Sequence, residues 1–203
     1  VYGVNITRMV TVSTSLEAVR TYHHGDLRSA LVDAGLRALE TTEIGDISLR
    51  QIARDVGVSA TAVYRHFPGK RALLVALAHA GIEKLGEAQA KAAGSASDTS
   101  AFSATGRAYV RFALAHPALF RLIFTHLPPA GDTVFGESLA ARLLHDKAAA
   151  ATGGNAEETR RLMVQAWAVV HGLAMLMLDG QLPPDDALID QVIDPATLFG
   201  ARR

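Results

Sequence analysis

The 203-residue sequence contains no cysteine and few aromatic side chains. Without cysteine the chain forms no disulfide, no thiolate zinc site and no cysteine nucleophile, which fits a reducing cytosol. Only 6% of the residues are aromatic, 49% are hydrophobic and alanine is abundant, a balance that favours helices over strands and argues against extended disorder. We therefore expect an all-α protein of one or two domains that functions in the cytoplasm.

Net charge and long apolar runs are also lacking. The 20 basic and 20 acidic residues cancel, which argues against a protein that coats nucleic acid with its whole surface. The longest apolar run, residues 162–178, is interrupted by Gln165 and His171 and is shorter than the roughly 20 residues that a bilayer requires, so we expect a buried helix and no membrane partner. Residues 1–21 show no apolar stretch after a basic start, which predicts a flexible arm rather than a signal peptide.

Apolar residues recur at intervals of three and four along most of the chain, and this periodicity predicts a series of helices. The expected helices are 26–40, 49–57, 59–67, 70–92, 102–115, 118–126, 137–151, 158–178 and 185–193. We find no pattern typical of a strand or an internal repeat. The small polar residues of segment 94–100 predict a connection between two domains.

The segment SLRQIARDVGVSATAVYRHF, residues 48–67, predicts two short helices joined by a tight turn. Ser48 is expected to cap the first helix, with Gln51 reaching back to complete a capping box. Gly57 is expected to end that helix in a left-handed conformation, and Ser59 to cap the next one. Two helices joined by a three-residue turn follow the helix-turn-helix plan of DNA-binding proteins.

The charge of this segment supports the same interpretation. Five basic residues lie between positions 47 and 71, against the single acidic residue Asp55. The second helix presents small or hydrogen-bonding side chains, which allow close approach to base edges in a major groove, and nearby basic residues can contact phosphates. The candidate DNA-binding residues are Arg50, Ser59, Ala60, Thr61, Ala62, Tyr64, Arg65, His66 and Lys70.

The stretches YHHGDLRSALVDAGLRALE and ISLRQIARDVGVSATAVYRHFPGKRALLVALA resemble the DNA-binding domain of the tetracycline-repressor (TetR) family of transcriptional regulators. The resemblance covers about residues 22–92. It implies a homodimer of helical subunits that binds a palindromic double-stranded DNA operator and is released by a small-molecule effector. By matching positions, Arg50 and residues 59–62 would face bases, whereas Tyr64, His66 and Lys70 would hold phosphates. We predict an arm at 1–21, a helix-turn-helix domain at 22–70, a connecting helix at 71–93 and a ligand-binding and dimerisation domain at 94–203.

The segment AWAVVHGLAML resembles the Trp-His-Gly (WHG) signature of one group of C-terminal regulatory domains in this family. Trp167 and His171 are four residues apart on one helix face, so both are candidates for an effector pocket. The full set of candidate ligand-binding residues is Phe112, Phe124, Met163, Trp167 and His171. The alternative is that Trp167 is a core residue and His171 a hydrogen-bonded buried histidine. Few polar residues surround these aromatic rings, which favours an apolar or aromatic effector.

Catalytic patterns are weak by comparison. The histidines at positions 23 and 24, with Asp26, are more typical of phosphate or solvent contacts than of a metal site, so we expect neither metal nor cofactor. The sequence contains no nucleophile elbow, P-loop or zinc-protease motif, and we predict a non-enzymatic protein. The competing hypothesis is a helical small-molecule binding or enzymatic module with a vestigial helix-turn-helix.

Overall fold

The computed structural model describes residues 27–97, 100–127 and 137–194. These residues form only helices, in agreement with the predicted all-α class. The elements are α1 (Leu27–Ala38), a 3₁₀ turn (Ile44–Asp46), α2 (Leu49–Val56), α3 (Ala60–His66), α4 (Lys70–Gly94), α5 (Ala101–Ala115), α6 (Pro117–His126), α7 (Leu139–Ala151), α8 (Ala156–Leu178) and α9 (Asp186–Val192). The predicted arm lies outside the described residues, as do His23, His24 and Asp26.

Local capping explains where several helices begin. Ser138 Oγ accepts from the amide of Ala141 at 3.2 Å, so α7 begins at Leu139, two residues later than expected. The side-chain oxygen Oδ1 of Asn155 accepts from the amide of Glu158 at 3.0 Å, so α8 begins at Ala156, two residues earlier than expected. In both helices the capping side chain satisfies an amide that has no partner within the first turn.

The turn between α2 and α3 forms as the sequence predicts. Gly57 has a φ of +78°, and the amide of Val58 donates to the carbonyl of Ala53 at 2.9 Å. Ser59 Oγ accepts from the amide of Ala62 at 3.2 Å and so caps α3. Because glycine has no Cβ, it adopts this left-handed conformation without the strain that another residue would incur.

The capping box predicted at Ser48 forms only in part. Ser48 Oγ accepts from the amide of Gln51 at 3.4 Å, as expected. The Gln51 side chain does not reach back, because its amide nitrogen donates forward to Asp55 Oδ1 at 2.7 Å and its oxygen accepts from Arg54. The expectation of a reciprocal bond was wrong: in a capping box the Gln51 oxygen would accept from the Ser48 amide, and here it accepts from the charged Arg54 guanidinium instead.

Helix α4 belongs to both halves of the molecule, as the chain pattern predicted. It packs against α1 in the N-terminal half and against α5, α6 and α7 in the C-terminal half. Gly86 permits a close approach of α4 to α7, since a Cβ at this position would lie 2.8 Å from the backbone nitrogen of Ala140 and from Leu139 Cβ. A movement of α4 therefore displaces the helix-turn-helix relative to the C-terminal bundle.

The short helix α9 is held against α5 by ionic contacts. Arg111 contacts Asp186 at 2.7 Å and Asp190 at 3.5 Å, and Arg107 contacts Asp190 at 3.5 Å. Arg107 also donates to the carbonyl of Ile193 at 3.2 Å. These contacts place the Ile193 side chain, which is 1% exposed, in the C-terminal core.

Candidate DNA-binding face and effector pocket

Eight of the nine candidate DNA-binding residues lie in α2, in α3 or at the N-cap of α3, where the exposed ones form the outer surface, and Lys70 begins α4. Arg50, Ser59, Thr61 and Arg65 are exposed, and Tyr64, with 46% of its surface accessible, is one of the most exposed large hydrophobic residues described. Ala60, Ala62 and His66 are half-buried at the edge of this surface. The opposite side of α3 holds the domain together through Val63, which is completely buried. The amphipathic pattern of α3 thus divides packing residues from residues available to a partner.

Lys70 lies at the N-terminus of α4, as predicted, but its ammonium group already has a partner. Lys70 Nζ donates to the carbonyl of Gly45 in the 3₁₀ turn. This bond holds the side chain between the turn and α4, where the first helical amides also point outward. An anion bound here meets both a positive charge and free backbone donors.

In the C-terminal bundle the side chains of five residues from α5, α6 and α8 form an aromatic cluster: Tyr109, Phe120, Phe124, Trp167 and His171. Phe124 lies 4.7 Å from His171 and 6.4 Å from Trp167, measured between ring centroids. Phe120 lies 5.0 Å from Phe124 and 5.4 Å from Tyr109. The structure therefore brings together three of the five candidate ligand residues, Phe124, Trp167 and His171.

A hydrogen-bond chain runs through this cluster. Trp167 Nε1 donates to the Tyr109 hydroxyl at 3.3 Å, and that hydroxyl lies 2.9 Å from His171 Nδ1. Indole nitrogen only donates, so the single hydroxyl proton of Tyr109 is free to be donated to His171. We assign His171 Nδ1 as the acceptor of this proton, with the ring proton on Nε2.

The pKa values agree with this assignment. Burial raises the pKa of the Tyr109 phenol well above its usual value, an effect that the hydrogen bond from Trp167 partly opposes. Burial also lowers the pKa of the His171 imidazole. Both groups are therefore uncharged at neutral pH, because the charged form of each would lose solvation in the cluster.

Beside the cluster lies a cavity of about 40 Å³ of water-accessible volume. Its wall is formed by α4, α5, α7 and α8, with Ile193 at one side. Besides Tyr109 and Trp167, the wall contains the polar residues Gln89 and Thr105, and the rest is apolar. Gly106 keeps this space open, since a Cβ at its position would lie 2.8 Å from Ile193 Cγ2.

Two candidate ligand residues stand apart from this site. Phe112 is buried on a different side of α5, where its ring packs 4.9 Å from that of His116 and lines an open cleft next to α1 and α4. Met163 is buried one turn before Trp167 and does not line the cavity. The residues missed by sequence reasoning are Tyr109 and Gln89. A polar side chain on an otherwise apolar helix face is a signal that marks both positions.

No group of three metal-ligating side chains occurs among the residues that the structure describes. Helix α8 is the one described helix that is long and apolar enough to cross a bilayer, but core helices meet the same criterion. It packs against α5 and α7, and 33% of the most apolar stretch of the helix is buried. Its remaining apolar surface includes Val164 and Leu176, which are 46% and 45% exposed.

An exposed helix-turn-helix carried by a helical bundle is the architecture of a DNA-binding transcriptional regulator. Two family models match the chain: residues 31–77 match the bacterial regulatory proteins of the tetR family, and residues 102–196 match the tetracyclin repressor-like C-terminal domain. The chain belongs to the TetR family and is a DNA-binding transcriptional regulator. The Trp-His-Gly subgroup stays a prediction.

Solved structures show the same architecture. A protein of unknown function from Rhodococcus sp. RHA1 is 32% identical, with a TM-score of 0.66 over 89% of this chain and 97% of that one. TetR from Acinetobacter baumannii AYE is 18% identical, with a TM-score of 0.60 over 84% and 96% of the two chains. A TetR family regulator from Marinobacter aquaeolei VT8 is 19% identical, with a TM-score of 0.55 over 83% and 92%. No curated protein matches the chain.

Proposed function

We propose that this regulator is a cytoplasmic, non-enzymatic repressor that binds a palindromic operator as a homodimer and leaves it when a small effector enters the C-terminal domain. The observation that supports this most directly is the exposed surface of α2 and α3, which combines small, hydroxyl and basic side chains. One helix of seven residues reads only a few base pairs. Two such helices about 34–36 Å apart read one face of the duplex twice.

Base readout is assigned to Arg50 and to residues 59–62. Arg50 and Thr61 are exposed and carry hydrogen-bonding groups, whereas Ala60 and Ala62 offer apolar contact to a thymine methyl. Phosphate contacts are assigned to Tyr64, Arg65, His66 and Lys70. The Lys70 ammonium has three N–H donors, so it can keep its bond to Gly45 and donate another to a phosphate, whose negative charge makes it the stronger acceptor.

The exposed side of α8 is the proposed dimer interface. Val164, Gly172 and Leu176 repeat at the spacing of a helix face, and two of them are large apolar residues left in solvent. A Cβ built on Gly172 meets nothing within 4 Å, so this position leaves room for a partner helix to approach. Burying such a surface is favourable at roughly 25 cal/mol per Å².

Effector release is proposed to act through α4, because this helix contacts the pocket through Gln89 and begins at Lys70. The two positions are 19 residues apart, or about 29 Å along the helix axis. An effector that binds the released form about 100-fold more tightly lowers operator affinity by the same factor, a coupling of about 2.7 kcal/mol. Trp167 is the only tryptophan of the chain, and its fluorescence reports entry of an effector beside it.

The DNA-binding proposal is tested by gel shift with duplex fragments from the native genomic neighbourhood of the gene. Lys70→Met is expected to weaken binding to all sequences equally. It should also reduce the slope of log affinity against log salt concentration by about 1, which corresponds to the loss of one phosphate contact. Lys91→Met is the matched control, since Lys91 is exposed near the far end of the same helix. Arg50→Met and Thr61→Val are expected instead to change which operator is preferred.

Uniform effects of all three DNA-face variants on every sequence would contradict the division between base and phosphate contacts. Failure of the wild-type protein to retain any fragment at low salt would contradict operator binding itself. The dimer is tested separately by mass measurement in solution. A monomer mass at micromolar concentration would contradict the proposed dimer interface on α8.

A further inference from the structure

The cavity beside the aromatic cluster contains one buried polar atom that has no partner among the residues that the structure describes. Gln89 is 8% exposed, and its Nε2 donates to the carbonyl of Thr105 at 3.2 Å. Its Oε1 is the buried side-chain atom that lacks a hydrogen bond within the described residues. Because a carbonyl only accepts, Nε2 must be the atom that faces Thr105, and the amide cannot be turned to exchange the two atoms.

The other polar groups of the cavity wall are already paired. The Thr105 hydroxyl donates to the carbonyl of Phe102 at 2.6 Å. The Tyr109 hydroxyl and Trp167 Nε1 belong to the chain that ends at His171. Gln89 Oε1 is therefore the buried side-chain atom of this wall that makes no hydrogen bond within the described residues, whereas the Thr105 and Tyr109 hydroxyls are already bonded and keep only spare lone pairs.

An occupant made of water fits this cavity poorly. A buried water makes about three hydrogen bonds, whereas this mostly apolar wall provides one unbonded acceptor and the spare lone pairs of two hydroxyls that are already bonded. A mostly apolar molecule with one N–H or O–H group satisfies both features, since its body contacts the apolar wall and its donor meets Gln89. The cavity volume of about 40 Å³ limits the present fit to a small group, so a larger body must displace wall residues such as Leu144 or Ile193.

We propose that the effector of this regulator is a small, uncharged, largely apolar or aromatic molecule whose N–H or O–H group donates to Gln89 Oε1, and that Gln89 selects it. This inference rests on the proposed effector-binding function of the C-terminal domain. Gln89 belongs to α4, so an effector bonded to Oε1 contacts the same helix that begins at Lys70. Recognition and movement of the DNA-binding half thus share one helix.

The test compares phenol with toluene, which have nearly the same shape and differ in the hydroxyl donor. Binding is measured by calorimetry and by Trp167 fluorescence, excited where neither probe absorbs. The wild-type protein is expected to bind phenol at least about tenfold more tightly than toluene, because toluene leaves Oε1 buried and unpaired. In Gln89→Met, which keeps the side-chain length and removes the acceptor, the preference is expected to disappear or reverse. Gln181→Met makes the same change at an exposed position and is expected to keep the wild-type preference.

Equal binding of the two probes to the wild-type protein overturns the proposal, as does binding of neither at millimolar concentration. A phenol preference that persists in Gln89→Met also overturns it. The wild-type comparison needs no variant, so the proposal stays testable if Gln89→Met folds poorly. A gel shift on the same preparations tests the regulator function separately from the Gln89 assignment. Protein that retains operator DNA but shows no preference for phenol contradicts only the Gln89 assignment. Protein that prefers phenol but retains no operator DNA contradicts only the proposed regulator function.

Discussion

Removal of the Tyr109 hydroxyl tests the hydrogen-bond chain at the centre of the C-terminal domain. Tyr109 is 2% exposed, and its hydroxyl serves both Trp167 and His171. Tyr109→Phe keeps the ring and its edge-on packing against Phe120 but leaves His171 Nδ1 without this donor. A buried acceptor that loses its partner costs about 1–3 kcal/mol, and the bond from Trp167, at 3.3 Å, adds little.

We therefore expect Tyr109→Phe to lower the free energy of unfolding by about 2 kcal/mol. For a chain of this size that corresponds to a decrease of about 4–8 °C in Tm, measured by circular dichroism. Tyr64→Phe is the matched control, because Tyr64 is 46% exposed and loses its hydroxyl in solvent. Its unfolding free energy is expected to change by less than about 0.5 kcal/mol.

A second measurement distinguishes loss of the hydrogen-bond chain through Tyr109 from a simple loss of packing. Tyr109 and His171 are in direct contact, so the double variant Tyr109→Phe/His171→Phe is expected to be less destabilised than the sum of the single variants, by at least about 0.5 kcal/mol. Strict additivity, or equal Tm decreases for Tyr109→Phe and Tyr64→Phe, would refute the inferred chain.

Three further predictions concern pH and backbone packing. Burial lowers the pKa of His171 below its usual 6.5, so as the pH falls below 6.5 the unfolded chain takes up a proton on this residue before the folded chain does. The contribution of His171 to stability is therefore present above pH 6.5 and declines as the pH falls. In thermal unfolding at pH 7 and pH 5, His171→Asn should reduce this decline. Gly57→Ala places a side chain at a φ of +78° and is expected to cost about 1–2 kcal/mol in denaturant unfolding, whereas an unchanged midpoint would contradict the left-handed cap. Gly86→Ala forces α4 away from the backbone of α7 and is expected to cost about 1–3 kcal/mol, while Gly94→Ala, with open space around it, should be neutral or stabilising; the reverse order would refute the close approach.

Local features of the chain were predictable from the sequence. The caps at Ser48 and Ser59 and the turn at Gly57 formed as expected. Each depends on bonds between residues no more than five positions apart, so the local sequence contains the information required. The helix periodicity and the exposed face of α3 were predictable for the same reason, because residues three and four apart share a face.

The effector pocket depended on contacts that local sequence does not encode. Tyr109 and His171 are 62 residues apart, and they meet because α5 and α8 pack side by side. Phe112 follows Tyr109 by three residues, yet the rotation of α5 against α4 turns its ring toward His116 instead of the aromatic cluster. The sequence by itself determined which residues are helical and which are apolar. Only tertiary packing decided which apolar faces meet, and it left Gln89 Oε1 unpaired because no donor from another helix reaches it.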